Sequence, residues 1–284
     1  MTSKKFILNA EDFGMSKAFN RGVLDGYHNG FLTSASLSAN GKAFNAAVNE
    51  IIPECPNLSI GIHLNLTQGR ALTKANKITN KKGKFNKNFF QILLFANNKK
   101  VLEQIEFEFR TQIETVKNYA QVDHIDSLGH IHAIPAIFNI TAKLAKEYNI
   151  PFIRTHFEEM YLVKDIFKHL HFKYLMNLFK MFTLNNFTKK NKIILKNYGL
   201  KTNDNIIGIA YSKLMDESTI EEGLKMIDEA GITEVIIHPA HYAITNKNQH
   251  YKEFLLTQNK SIKDKIIRLG FDITNYKKEK QSNV

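Results

Sequence analysis

Short apolar runs recur along the chain, bounded by polar and turn residues, and between most of them apolar positions fall three and four residues apart. That alternation predicts βα units and a mainly parallel sheet. Eight strands are expected, at residues 5–9, 32–38, 58–64, 122–126, 152–155, 206–210, 234–238 and 271–274. Helices are expected at 16–29, 42–52, 100–120, 136–148, 218–229 and 262–269. Ser16 and Ser218 fit N-caps, Gly30, Gly231 and Gly270 fit C-terminal stops, and Pro135 suits the first turn of its helix.

Two segments break the rhythm. Residues 67–98 are polar and basic before a small apolar patch, and read as a surface excursion. Residues 160–201 place Phe167, Leu170, Tyr174, Leu178 and Phe182 at helical spacing among nine lysines, and read as a helical insertion over the barrel. With 284 residues, the pattern predicts one α/β barrel domain, 1–284, carrying that insertion at about 160–201.

Composition changes the picture little. At 43% hydrophobic the chain can bury a substantial core, so disorder is excluded as its overall state. Cys55 is the single cysteine and cannot form an internal disulfide; its neighbours Glu54 and Pro56 offer no nucleophile context. The opening "MTSKKFILNAEDFG" has an apolar run too short for a signal peptide or a membrane span, so a cytoplasmic protein without membrane association is expected. The net charge of +12 brings polyanions into consideration, but the lysines are scattered and no nucleic-acid partner is expected.

Candidate chemistry gathers at predicted strand ends. Glu11 and Asp12 follow the first strand, His63 ends "LSIGIHLNL", His130 and His132 lie in "HIDSLGHIHAIP", and His238 ends "EVIIHPAHY". In α/β sheets, ligands bind at the carboxyl ends of strands, so such residues converge. Carboxylates with imidazoles suit a divalent metal or an acid–base site. Phosphate-loop, dinucleotide, nucleophile-elbow and paired-cysteine motifs do not occur.

The stretches "ILNAEDFGMSKAFNRGVLDGYHNGFLTSASLSAN", "GIHLNLTQGRAL", "DHIDSLGHIHAIPAI", "IPFIRT" and "TEVIIHPAHY" together resemble the YdjC-like carbohydrate deacetylases. The resemblance implies a distorted TIM-like (β/α) barrel of the polysaccharide-deacetylase kind. It implies hydrolysis of the N-acetyl group of an amino sugar or oligosaccharide, with a divalent metal ion, magnesium or zinc, and a homodimer by analogy. It makes Asp12, His63 and His130 metal ligands, Glu11 the general base alone or shared with Asp12, His238 the general acid and Arg154 an organiser; His132 is an additional candidate. The chain departs from the family's pattern at Glu11, Leu128 and Ala240, where the family commonly has aspartate, histidine and glycine. The lost histidine at 128 leaves His130 to supply that ligand. Alternatives are a polyanion-binding protein on a decayed barrel and a metal-dependent hydrolase of another amide or ester.

Overall fold

The structure is a computed structural model that describes residues 3–164, 166–242 and 248–281. Its strands are β1 (Lys4–Phe13), β2 (Ser34–Leu37), β3 (Ser59–Leu64), β4 (His124–Ser127), β5 (Phe152–Ile153), β6 (Asn205–Ile207), β7 (Gly231–Ile237) and β8 (Phe271–Ile273). The helices are α1 (Lys17–His28), α2 (Phe44–Ala46), α3 (Phe89–Phe95), α4 (Lys99–Lys117), α5 (Pro135–Glu147), α6 (Phe172–Tyr198), α7 (Glu217–Lys225), α8 (Gln249–Thr257), α9 (Lys260–Arg268) and α10 (Tyr276–Gln281).

Among the described residues these strands pair in parallel throughout, in the order β5-β4-β3-β2-β1-β7-β6 with β8 added beside β1. The sheet and its helices form the distorted TIM-like barrel expected, open between β5 and β6. All eight predicted strands are present. Alternation along each strand divides the residues between two faces. Phe6, Leu8 and Ala10 of β1 join the main hydrophobic cluster, whereas Ile7 packs with Phe152, Tyr276 and Ile232 in a small second cluster. On that second face the strands carry Asn9 and Glu11, Ser36, His63, His124 and Asp126, and Glu234, all buried. The inner face is therefore polar, and it can be so only because its groups pair with one another.

Several local expectations are corrected. β1 runs on through Glu11 and Asp12 because β7 pairs with it as far as Ala10 and β2 as far as Phe13. The helix expected over 42–52 is α2 followed by a π-helical turn, Ala47–Ile51, and a 3₁₀ turn, Ile52–Glu54; Pro53 disrupts its end, having no N–H to donate. Asp216, not Ser218, caps α7, and its carboxylate accepts from Thr219 N–H in a capping box. Gly231, expected as a helix stop, opens β7 at φ 147°. Ser16 does cap α1, accepting from Phe19 N–H at 3.3 Å. α3, α8 and α10 lie where no helix was expected.

In the segment 160–201, α6 packs on α5 and buries Tyr174, Met181, Leu184, Thr188, Asn191 and Leu195. Phe167, Leu170 and Phe182 are instead exposed. Two polar residues occupy the hidden stripe because each has a backbone partner: Thr188 Oγ1 accepts from His156 N–H, and Asn191 Nδ2 donates to Ala133 C=O. The segment 67–98 folds back through antiparallel bridges Arg70–Lys84 and Thr79–Phe85 and is anchored by buried Ala75, Ile78, Phe85, Phe89 and Ile92.

Candidate active site

Arg154, just beyond β5, occupies the centre of the polar face and is buried. Its Nε and Nη2 donate to the two oxygens of Glu234 at 2.9 and 2.6 Å, Nη2 meets Asp126 Oδ2 at 2.5 Å, and Nη1 donates to Glu11 Oε1. One planar guanidinium thus ties β1, β4 and β7 to the end of β5, a geometry lysine could not reproduce. Tyr276 O–H donates to Glu234 at 2.7 Å.

Asp126 is the next junction. It accepts from His63 Nδ1 at 2.8 Å and from Ser36 Oγ at 2.6 Å, while Asn9 and His124 brace Ser36 at 2.9 and 3.2 Å. Gly61 is required beside this network, since a Cβ there would lie 2.2 Å from His124 Nε2. His63 Nδ1 is therefore committed to Asp126, and its Nε2 faces Asp12 Oδ1 at 3.8 Å. Both of those atoms are buried and have no hydrogen-bond partner.

On the other side of Glu11, His238 Nε2 approaches Oε2 at 3.3 Å. Glu253 of α8 accepts from the His238 backbone N–H at 2.6 Å and lies 3.2 Å from Nδ1.

Charge follows this geometry. Burial would raise the Glu11 carboxyl, but Arg154, His238 and His63 outweigh it and hold it well below the usual carboxylate range. At Asp126 burial is likewise outweighed by Arg154 and His63, and its carboxyl is lowered. At Glu234 burial wins over Arg154 and the carboxyl is raised. Burial disfavours charge on His238 too, yet its bonds to Glu11 and Glu253 push it well above the ordinary imidazole value. For His63, Asp126, Glu11 and Asp12 overcome burial in the same direction. His130 and His156 have no such carboxylates: burial, with nearby cationic groups, lowers both.

The backbone is unusual at the same place. Asp12 and His130 both have φ 63°, and Gly129 has φ 65°, a left-handed conformation that non-glycine residues adopt at a cost. His130 is buried with Nδ1 unpartnered, and its ring packs edge-on to His156 at 4.9 Å. His132 serves the backbone instead: Ser127 O–H donates to Nδ1 at 2.5 Å, and Nε2 donates to Arg154 C=O at 3.0 Å. Leu128 is buried at the head of this turn.

Among the described residues two groups bring three ligand atoms within 4.8 Å, Glu11–His63–Asp126 and His124–Asp126–Glu234. In both, the carboxylates already share Arg154, whose charge opposes a dication. Asp12 Oδ1 and His63 Nε2, which face each other, are among the buried donors without protein partners. A carboxylate oxygen beside an imidazole nitrogen, with that imidazole's other nitrogen held by a carboxylate, fits a divalent ion. His130 belongs to neither compact group, and its unpartnered Nδ1 is a further donor of the right type.

The structure places Glu11, Asp12, His63, Arg154 and His238 around one site. Asp126, Glu234, Glu253, Ser36 and His156 also belong to this network or border it and were not expected there from the sequence. Asp126 and Glu234 carried a signal, an acid within an otherwise apolar or buried strand; Glu253 carried none, lying in an unexpected helix. A cavity of about 850 Å³, lined by Lys17, Arg21, Glu50, His241 and Tyr242 among others, adjoins α1 and does not include the Arg154 cluster.

Known proteins resemble this chain along most of its length. The model of the YdjC-like protein family matches residues 5–268. A carbohydrate deacetylase of Clostridium beijerinckii is 41% identical over 149 residues, covering 52% of this chain and 58% of the relative, so that match spans little more than half of the relative's length. A carbohydrate deacetylase of Thermoanaerobacter pseudethanolicus is 28% identical over 242 residues, covering 84% of this chain and 82% of the relative. Among solved structures, an Enterococcus faecalis protein provisionally described as a cellobiose-phosphate cleavage protein shares the fold, with a TM-score of 0.74 at 23% identity over 98% of this chain and 99% of that one. With the family pattern matched from β1 through α9, this chain belongs to the YdjC-like protein family.

Proposed function

We propose that this protein is a metal-dependent carbohydrate deacetylase, hydrolysing the N-acetyl group of an amino sugar or oligosaccharide to acetate and a free amine. The observation that carries the reading is the pair of buried, unpartnered donors Asp12 Oδ1 and His63 Nε2, with His63 Nδ1 fixed by Asp126. Its relatives are carbohydrate deacetylases, which supports a sugar substrate for this chain.

Asp12, His63 and His130 would hold the ion, magnesium or zinc, which when bound makes water acidic and polarises a carbonyl. The protein's own groups then divide the proton work. Glu11, kept anionic by Arg154, takes the proton of the attacking water as its oxygen bonds to the acetamide carbon. As the C–N bond breaks, His238 delivers a proton from Nε2 to the departing nitrogen. Asp126 holds His63 in one orientation, and Arg154 fixes Glu11 and Asp126 relative to each other.

The reading extends to one catalytic domain with the 160–201 segment as its insertion, a cytoplasmic location and a homodimer. Among the described residues no helix is long and apolar enough to cross a membrane.

Purified protein given magnesium or zinc should release acetate from N-acetylglucosamine oligomers, and Asp12→Ala and His63→Ala should lose metal by elemental analysis. No acetate from a broad panel of N-acetylated sugars, with metal content unchanged in both variants, would defeat the proposal.

A further inference from the structure

His238 is held from two sides. Glu11 faces its Nε2, and Glu253 of α8 faces its Nδ1. Glu253 is fully buried, and a single oxygen, Oε2, meets both the backbone N–H and Nδ1 of His238 at 2.6 and 3.2 Å. Its other oxygen accepts from Gln249 Nε2 at 3.1 Å, and Gln249 also donates to Met215 C=O at 2.7 Å, so the carboxylate cannot swing away. The same helix returns to the loop through His250, whose ring Nδ1 donates to His238 C=O at 3.1 Å and whose C=O accepts from Ala240 N–H at 3.0 Å. α8 thus grips the segment 238–240 by side chain and main chain together.

A buried carboxylate against Nδ1 selects the imidazole form with the proton on Nδ1, leaving Nε2 to exchange a proton with the site. Without it the ring could turn over or take the other tautomer, with the proton on Nε2 and none on Nδ1, and Nε2 could then not take up the proton that Glu11 returns. We infer that Glu253 is a positioning residue for the deacetylation proposed above: it fixes the tautomer and orientation of His238 and balances the imidazolium. Glu11 and His238 then act as one shuttle. The water proton passes to Glu11, the proton on His238 Nε2 passes to the leaving nitrogen, and Glu11 reprotonates His238 across their 3.3 Å contact. The balance is one proton taken from water and one given to the amine, and Glu253 gains or loses none.

The inference rests on the deacetylase reading for its kinetic part but not for its structural part, and the test separates them. Imidazole nitrogen NMR of the whole protein should show a downfield, exchange-protected proton on His238 Nδ1 that is lost in Glu253→Gln. Absence of that proton in the wild type overturns the inference whether or not the protein releases acetate. In wild type that does release acetate, Glu253→Gln should lower kcat by about 10²-fold, the scale of a general acid–base contribution, with KM and bound metal little changed. Glu253→Asp should recover part of the loss. Full kcat in Glu253→Gln, or equal losses in both variants with a matching loss of thermal stability, would reduce Glu253 to a packing role and overturn it. Failure of the wild type to release acetate counts against the deacetylase reading instead.

Discussion

Replacing Arg154 with methionine removes the guanidinium that Glu11, Asp126 and Glu234 share, while keeping much of the side-chain volume. All three carboxylates are buried and would remain so. Asp126 would keep His63 and Ser36, Glu11 would keep His238 and Glu234 would keep Tyr276, so none is stripped bare. Even so, breaking one buried ion pair costs about 3–5 kcal/mol because a charge is left without its counterion, and here one cation serves three acids. The expected loss at pH 7 is therefore at least about 3 kcal/mol, which for a chain of this size is a fall in Tm of roughly 6 °C or more. The sign with pH follows from the lowered carboxyls of Glu11 and Asp126. The stability they give the wild type is present above the ordinary carboxylate value and lost as pH falls through their lowered folded values. The gap between variant and wild type should narrow in acid. Denaturant unfolding at pH 7 and in a series carried well below the ordinary carboxylate value measures both. A loss below about 1 kcal/mol at pH 7 would refute the view that this cluster depends on a shared cation.

Other outcomes follow from particular contacts. A Cβ on Gly22 would lie 2.3 Å from Pro239 C=O, so Gly22→Ala should push α1 off the loop after His238, cost about 1–3 kcal/mol and reduce acetate release; unaltered melting and activity would contradict it. Cys55 is buried and its thiol is pushed up to about 11, chiefly by burial and then by Glu54, so a thiol reagent at pH 8 should label it only after denaturation. A divalent ion at 100 times its Kd should raise folding stability by about 2.7 kcal/mol; in a thermal shift assay His63→Ala should abolish that rise, and an undiminished rise would move the metal site elsewhere. Gly61→Ala should displace His124 from Ser36 and destabilise the inner network, measurable as a lower unfolding midpoint.

The sequence by itself determined the eight strands, the cap at Ser16 and the placing of Glu11, Asp12, His63 and His238 at strand ends, because local periodicity reports which face and which end of an element a residue occupies. It also carried the ordered family motifs. It left the stripe of α6 wrong, since Thr188 and Asn191 look solvent-facing until their backbone partners in other elements are known. The network around Arg154 was beyond it for the same reason: Glu11 and Glu234 lie 143 and 80 positions away. Whether an acid in a strand meets a guanidinium, an imidazole or water depends on which strand ends are neighbours and how each is turned. Glu253 reaches His238 only because α8 packs back over the end of β7. Such pairings are set by the closing of the sheet and the packing of its helices, and the tertiary structure alone decided them.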